Sequence, residues 1–139
     1  MKLPCELIVT HILPTARGSL AKDLVYRHGL TQVQVAKLFG VTSAAISQYL
    51  KGIRGGNSLI DKSAYCDDFY RMISEAADRV VEGEDVTDAL CGICEFVKDS
   101  GLLHALYVFE GYSGELGDCM ECPRIPIKPY DLGARTDNP

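Results

Sequence analysis

The sequence predicts a mainly α fold in two parts: an N-terminal unit of four to five helices, then a smaller helical region that bears cysteines. Three observations predict it. Apolar residues recur at helical spacing, as in Ala16, Leu20 and Leu24, or Phe69, Met72, Ile73, Ala76 and Val80. Thr, Pro and Gly stand where such helices would start and stop. The charge also divides along the chain. Residues 1–60 hold seven Lys/Arg against two Asp/Glu, net +5, whereas residues 61–139 hold seven against seventeen, net −10. At 139 residues the chain is one domain or two small ones. The expected boundaries are 1–57, 58–130 and a mobile tail at 131–139.

Taken in order, residues 4–13 form a first short helix with Leu3, Ile8 and Ile12 near one face. Pro14 suits the first turn of a second helix, which runs to about His28 and stops at Gly29. Thr31 caps QVQVAKLF, which ends at Gly40, and Thr42 or Ser43 caps AAISQYL, which ends at Gly52. The glycine-rich stretch KGIRGGNS at 51–58 marks the break between the parts. Beyond it, Tyr65 to Val80 mark one face of a long helix stopped at Gly83. Val86, Leu90, Ile93 and Val97 mark another, closed by Gly101. LLHALYVF at 102–109 fits either a strand or a buried helix, because periodicity does not separate the two in so short an apolar run. From Gly111 onward Gly and Pro dominate.

The segment TQVQVAKLFGVTSAAISQYLKG carries the most information. Two short helices joined by a tight turn cross steeply only if the contact position is small and the turn position tolerates a positive φ. Ala36 and Gly40 meet those needs, and Val35, Phe39, Val41, Ile46 and Tyr49 or Leu50 supply a small core. An ordinary helical hairpin also shows A-x-x-x-G, but it does not require the capped start at Thr42 or the polar face of Ser43, Ser47, Gln48 and Lys51.

This segment resembles the helix-turn-helix of the Cro/repressor-like (XRE) family, whose pattern is Ala, Gly four residues on, and an aliphatic residue six further: here Ala36, Gly40 and Ile46. The opening, with its Leu-Pro-Cys-Glu, is similar to a group of archaeal XRE-type transcriptional regulators with a cysteine-bearing C-terminal region. The resemblance implies that the third helix of the motif region enters the major groove. Thr42, Ser43, Ala44, Ser47 and Gln48 would then meet base edges, with Gln48 suited to adenine and Ala44 to a thymine methyl. Gln32, Lys51 and Arg54 would hold phosphates and set register. One such helix reads few base pairs, so a homodimer on a palindromic operator in double-stranded DNA is expected.

Cys91 and Cys94 in CGIC lie three apart on an expected helix, so both thiols project to one side. Cys119 and Cys122 in CMEC follow after twenty-four intervening residues. Four thiolates at paired spacing suit an iron–sulfur cluster or tetrahedral zinc. The helical look of CGICEFVK and the Cys122-Pro123 step favour a cluster, expected as [4Fe–4S]; structural Zn2+ and free or redox-switching thiols remain the alternatives. His104 is a spare ligand or a structural residue, and Cys5 and Cys66 read as ordinary semi-buried thiols, with Cys66 the better candidate of the two for a supplementary ligand.

The tract LPCELIVTHILP is too short and too polar for a membrane span, and it lacks a signal-peptide cleavage site. A cytoplasmic setting is therefore expected, where C-x-x-C pairs hold metal or do redox work more often than they form structural disulfides. No G-x-G-x-x-G, P-loop or H-E-x-x-H occurs, and no βαβ pattern surrounds CGIC, so an enzyme is not expected. The rival class is a protein-interaction module that uses the Tyr65–Val80 face.

Overall fold

The computed structural model describes residues 4–52 and 58–111, and all regular structure within them is helical. The chain starts as α1 (Pro4–Leu7), widens into a π-helical turn (Ile8–Ile12) and continues as α2 (Leu13–Tyr26). The sequence suggested two helices parted at Pro14; the structure runs through it. A proline has no N–H for the carbonyl four residues back, and its ring crowds that carbonyl. The wider turn ahead of Pro14 relieves the crowding, and Pro14 then sits in the first turn of α2, where its missing N–H costs least. Thr15 Oγ1 donates to the His11 carbonyl at 2.7 Å, a side-chain bond of the kind that accompanies helix irregularity.

Next come α3 (Gln32–Phe39) and α4 (Ser43–Leu50), eight residues each. Their ends are held by side chains. Gln34 N–H donates to Thr31 Oγ1 at 3.1 Å while Thr31 N–H donates to Gln34 Oε1 at 2.8 Å, closing a capping box. Ala45 N–H donates to Thr42 Oγ1 at 3.1 Å, so Thr42 rather than Ser43 is the cap of α4. Between the helices Gly40 has φ +68°, and Val41 N–H reaches back to the Ala36 carbonyl at 3.1 Å.

The second part contributes α5 (Ser58–Asp61), α6 (Cys66–Val81), α7 (Val86–Ser100) and α8 (Leu102–Phe109). Ser63 bridges α5 and α6: its hydroxyl donates to the Ile60 carbonyl at 2.8 Å and accepts from Tyr65 N–H at 3.3 Å. Asp85 caps α7 through Thr87 N–H at 2.7 Å. LLHALYVF is helical, with Leu102, Leu103, Leu106 and Tyr107 buried at helical spacing. Gly101 separates α7 from α8 at φ +95°, a conformation that favours glycine, and a Cβ there would stand 3.1 Å from Tyr65 Oη, so the tyrosine would have to give slightly.

One core serves both parts. α2 packs against α3 and α4 and also against α6 and α7, while α1 touches α8. Leu20, Leu24, Val35, Ile46, Phe69 and Val97 are all fully buried in the same cluster. The charge boundary near 51–58 is thus not a boundary in packing. Residues 53–57 of that break, and the expected tail with everything from 112 to 139, lie outside the described residues. Among those described, no helix is long and apolar enough to cross a membrane.

Candidate functional site

α4 presents its outer face through Thr42, Ser43 and Ala44 at one end and Lys51 at the other, all exposed, with exposed Gln32 opening α3 beside it. Inward, Ile46 is fully buried and Tyr49 and Ala36 nearly so, as their spacing required. Two expected readers differ. Ser47 and Gln48 are half-buried rather than exposed. By helical spacing they lie opposite the Ile46–Tyr49 stripe, so the seating of that stripe against α2 and α3 does not account for their partial cover. Gln48 Oε1 is enclosed and has no hydrogen-bond partner among the described residues. A buried acceptor left unpaired costs about 1–3 kcal/mol, so this amide gains by turning outward to a donor. Val41, expected in the small core, is 40 % exposed, and Phe39 is half-buried. Val33 and Leu38 of α3 are also largely exposed. Arg54 lies outside the described residues.

A charged clamp holds this unit to the acidic part. At the end of α2, Arg27 pairs with Asp23 at 2.6 Å and with Asp78 of α6 at 2.7 Å, and donates to the Ser74 carbonyl at 2.8 Å. His28 Nε2 meets the same Asp78 carboxylate at 2.9 Å. The hydrogen bond from Arg27, helped by one from His28, holds the Asp78 carboxyl below the ordinary carboxylate value. Arg27 is raised in turn, first by Asp23 and then by Asp78. The Asp23–Arg27 spacing of four is visible in the sequence, but nothing there pointed to Asp78. Arg27 therefore neutralises protein carboxylates and is no free phosphate ligand. Farther along, His11 in the π-helical turn meets Glu110 just beyond α8.

The thiols occupy α7. Cys91 is exposed and Cys94 half-buried, one turn apart on the same side and close enough to interact electrostatically. Burial pushes the Cys94 thiol up, as do Cys91 and Glu95, while Lys98 and Arg17 of α2 act the other way. The structure thus brings together half of the expected four-cysteine set; Cys119 and Cys122 lie outside the described residues, as does the side chain of Cys5. Among the described residues no three His, Cys, Asp or Glu side chains converge as a metal site. Cys66 opens α6, its thiol raised first by burial and then by Asp61 and Asp67. His104 is exposed on α8, tilted against the Tyr107 ring at 6.4 Å between centroids. A shallow cleft of about 450 Å³ separates α2 from α5 and α6, lined by Ser19, Lys22, Tyr26, Asp61 and Tyr70 among others. No family model, curated protein or solved structure matches this chain.

Proposed function

We propose that the protein is a sequence-specific DNA-binding transcriptional regulator, not an enzyme, and that it acts as a homodimer on a palindromic operator. The observation that carries this reading is the capped α3–Gly40–α4 unit, which leaves Thr42, Ser43 and Ala44 at the start of α4 and Lys51 at its end exposed to solvent. Docked in a major groove, α4 sets its first turn at base edges, with Gln32 at one flanking phosphate and Lys51, followed by Arg54, at another. Ser47 and Gln48 reach bases after rotating out of their half-buried positions. For Gln48 that rotation exchanges an unpaired acceptor for an adenine edge. The acidic part stays off the duplex, since its net charge of −10 repels phosphate.

Cys91, Cys94, Cys119 and Cys122 would hold an iron–sulfur cluster of the [4Fe–4S] type in this reading, with structural zinc as the alternative. The thiols at hand fit part of that role: two sulfurs on one face of a well-anchored helix, with Arg17 and Lys98 to offset thiolate charge. A bound cluster supplies sensitivity to redox or iron state. The chain's own contribution is to tie the site to the reading unit, because α7 and α4 both pack on α2. Anaerobic purification followed by a visible spectrum tests this part: absorbance typical of a cluster supports it, and a colourless protein with one zinc per chain ends the sensor version.

Binding to duplex DNA tests the main claim. Affinity should fall steeply with salt, and Gln48→Ala should lower discrimination at one base position by about 1–3 kcal/mol. If Gln48→Ala weakens binding equally for all sequences, Gln48 is not a reader. No salt-dependent affinity at all would favour the interaction module.

A further inference from the structure

We propose that the cleft between α2, α5 and α6 is a binding site for a free aromatic α-amino acid. One face of α2 supplies most of its lining. Ser19, Lys22, Asp23 and Tyr26 recur at spacings of three and four, so the helix turns all of them the same way. Asp61 at the end of α5 and Tyr70 of α6 contribute from the other elements. The volume of about 450 Å³ lies low in the range of about 300–1,000 Å³ for ligand clefts, which suits a small metabolite.

Charge selects the class of ligand. Arg27 is held by Asp23 at 2.6 Å and by Asp78 at 2.7 Å, so these groups neutralise one another. Lys22 and Asp61 remain, one cation and one carboxylate from separate elements, lining the same cleft without pairing with each other. A molecule that carries a carboxylate and an ammonium on one carbon answers both. The acidic end of the site is arranged in advance. The Ser19 hydroxyl bonds to Tyr70 Oη, which donates to Asp61 Oδ1, so one chain of hydrogen bonds links α2, α6 and α5. Burial first, and then the bond to Asp61, pushes the Tyr70 phenol up, which keeps it the donor that orients this carboxylate. Tyr26, 71 % exposed, offers the ring on which an aromatic side chain can lie.

The test titrates the full, isotope-labelled chain with L-phenylalanine in the absence of DNA and follows the amide shifts. Saturable shifts are expected at residues 19–27, at Asp61 and at Tyr70. Hydrocinnamate lacks the ammonium and phenethylamine lacks the carboxylate. Each should bind about tenfold more weakly, the worth of a hydrogen bond to a charged group. Asp61→Asn should erase the advantage of L-phenylalanine over hydrocinnamate, and Lys22→Gln its advantage over phenethylamine. Neither side chain is part of the core, and unchanged far-ultraviolet circular dichroism checks the fold of both variants. The idea is overturned if L-phenylalanine gives no saturable shift at millimolar concentration, or shifts residues away from the cleft. It is equally overturned if the analogues bind as tightly, or if either substitution leaves the preference intact. The regulator reading is judged separately, by binding to duplex DNA.

Discussion

The pair α3–α4 and the pair α6–α7 are built on opposite principles. α3 and α4 have eight residues each, well below the roughly 12–15 at which an isolated helix becomes even marginal in water. They are defined at their ends, by the Thr31–Gln34 box, the left-handed Gly40 and the Thr42 cap. α6 has sixteen residues and begins without any side-chain cap. It is defined along its length, by Phe69, Ile73, Ala76, Ala77 and Val80 turned into the core. Where hydrogen bonds at the termini specify a helix, its outer face is left for recognition. Where burial specifies it, one face is committed to packing and the helix becomes scaffold.

The largest effect that can sharpen this contrast is at Phe69, fully buried in α6. Phe69→Ala should cost about 3–5 kcal/mol. Because the core is continuous through α2, amide-exchange protection should drop in α4 as well as in α7. Loss confined to α6 and α7 would mean two independently stable parts. An intermediate effect is expected at the caps. Thr31→Ala and Thr42→Ala should each cost about 1 kcal/mol, in a range of roughly 0.5–2. The loss should appear as fraying of α3 or α4 while α6 is unmoved. If denaturation midpoints do not shift, the termini are not what specifies the short helices.

The smallest effect concerns the clamp. Asp78 is titrated below its ordinary value in the folded protein, so its contribution is complete above the unfolded-state carboxylate value and disappears as pH falls through the lower folded value. Wild type should therefore exceed Asp78→Asn in thermal stability at neutral pH. The gap should close in strong acid and shrink with added salt. A gap that widens on acidification would reverse the sign and remove Asp78 from the clamp. The residues involved are exposed, so the difference at neutral pH will be slight.

Features carried by local chemistry were legible in the sequence. The starts of α3 and α4, the turn at Gly40, the small contact residue Ala36 and the faces of α6 and α7 follow from caps and periodicity alone. What was not legible depends on contacts distant in the chain. The sharing of α2 between both parts erased the packing boundary that the charge pattern suggested. The continuity across Pro14 arose from a widened turn with no sequence signature. LLHALYVF became helical because its buried set, Leu102, Leu103, Leu106 and Tyr107, meets a core supplied by other helices. At the candidate interface, the first turn of α4 emerged exposed as its polar composition suggested. Ser47 and Gln48 did not: helical spacing sets them opposite the buried Ile46 and Tyr49, yet both are partly covered, which the local pattern does not foretell.

The most direct measurement is an amide chemical-shift titration of isotope-labelled protein with duplex DNA containing its selected operator. The account predicts that the perturbed amides concentrate at Gln32 and along Thr42–Lys51, with α6 and α7 little affected. Perturbation centred on α6 and α7, or none anywhere, would contradict it.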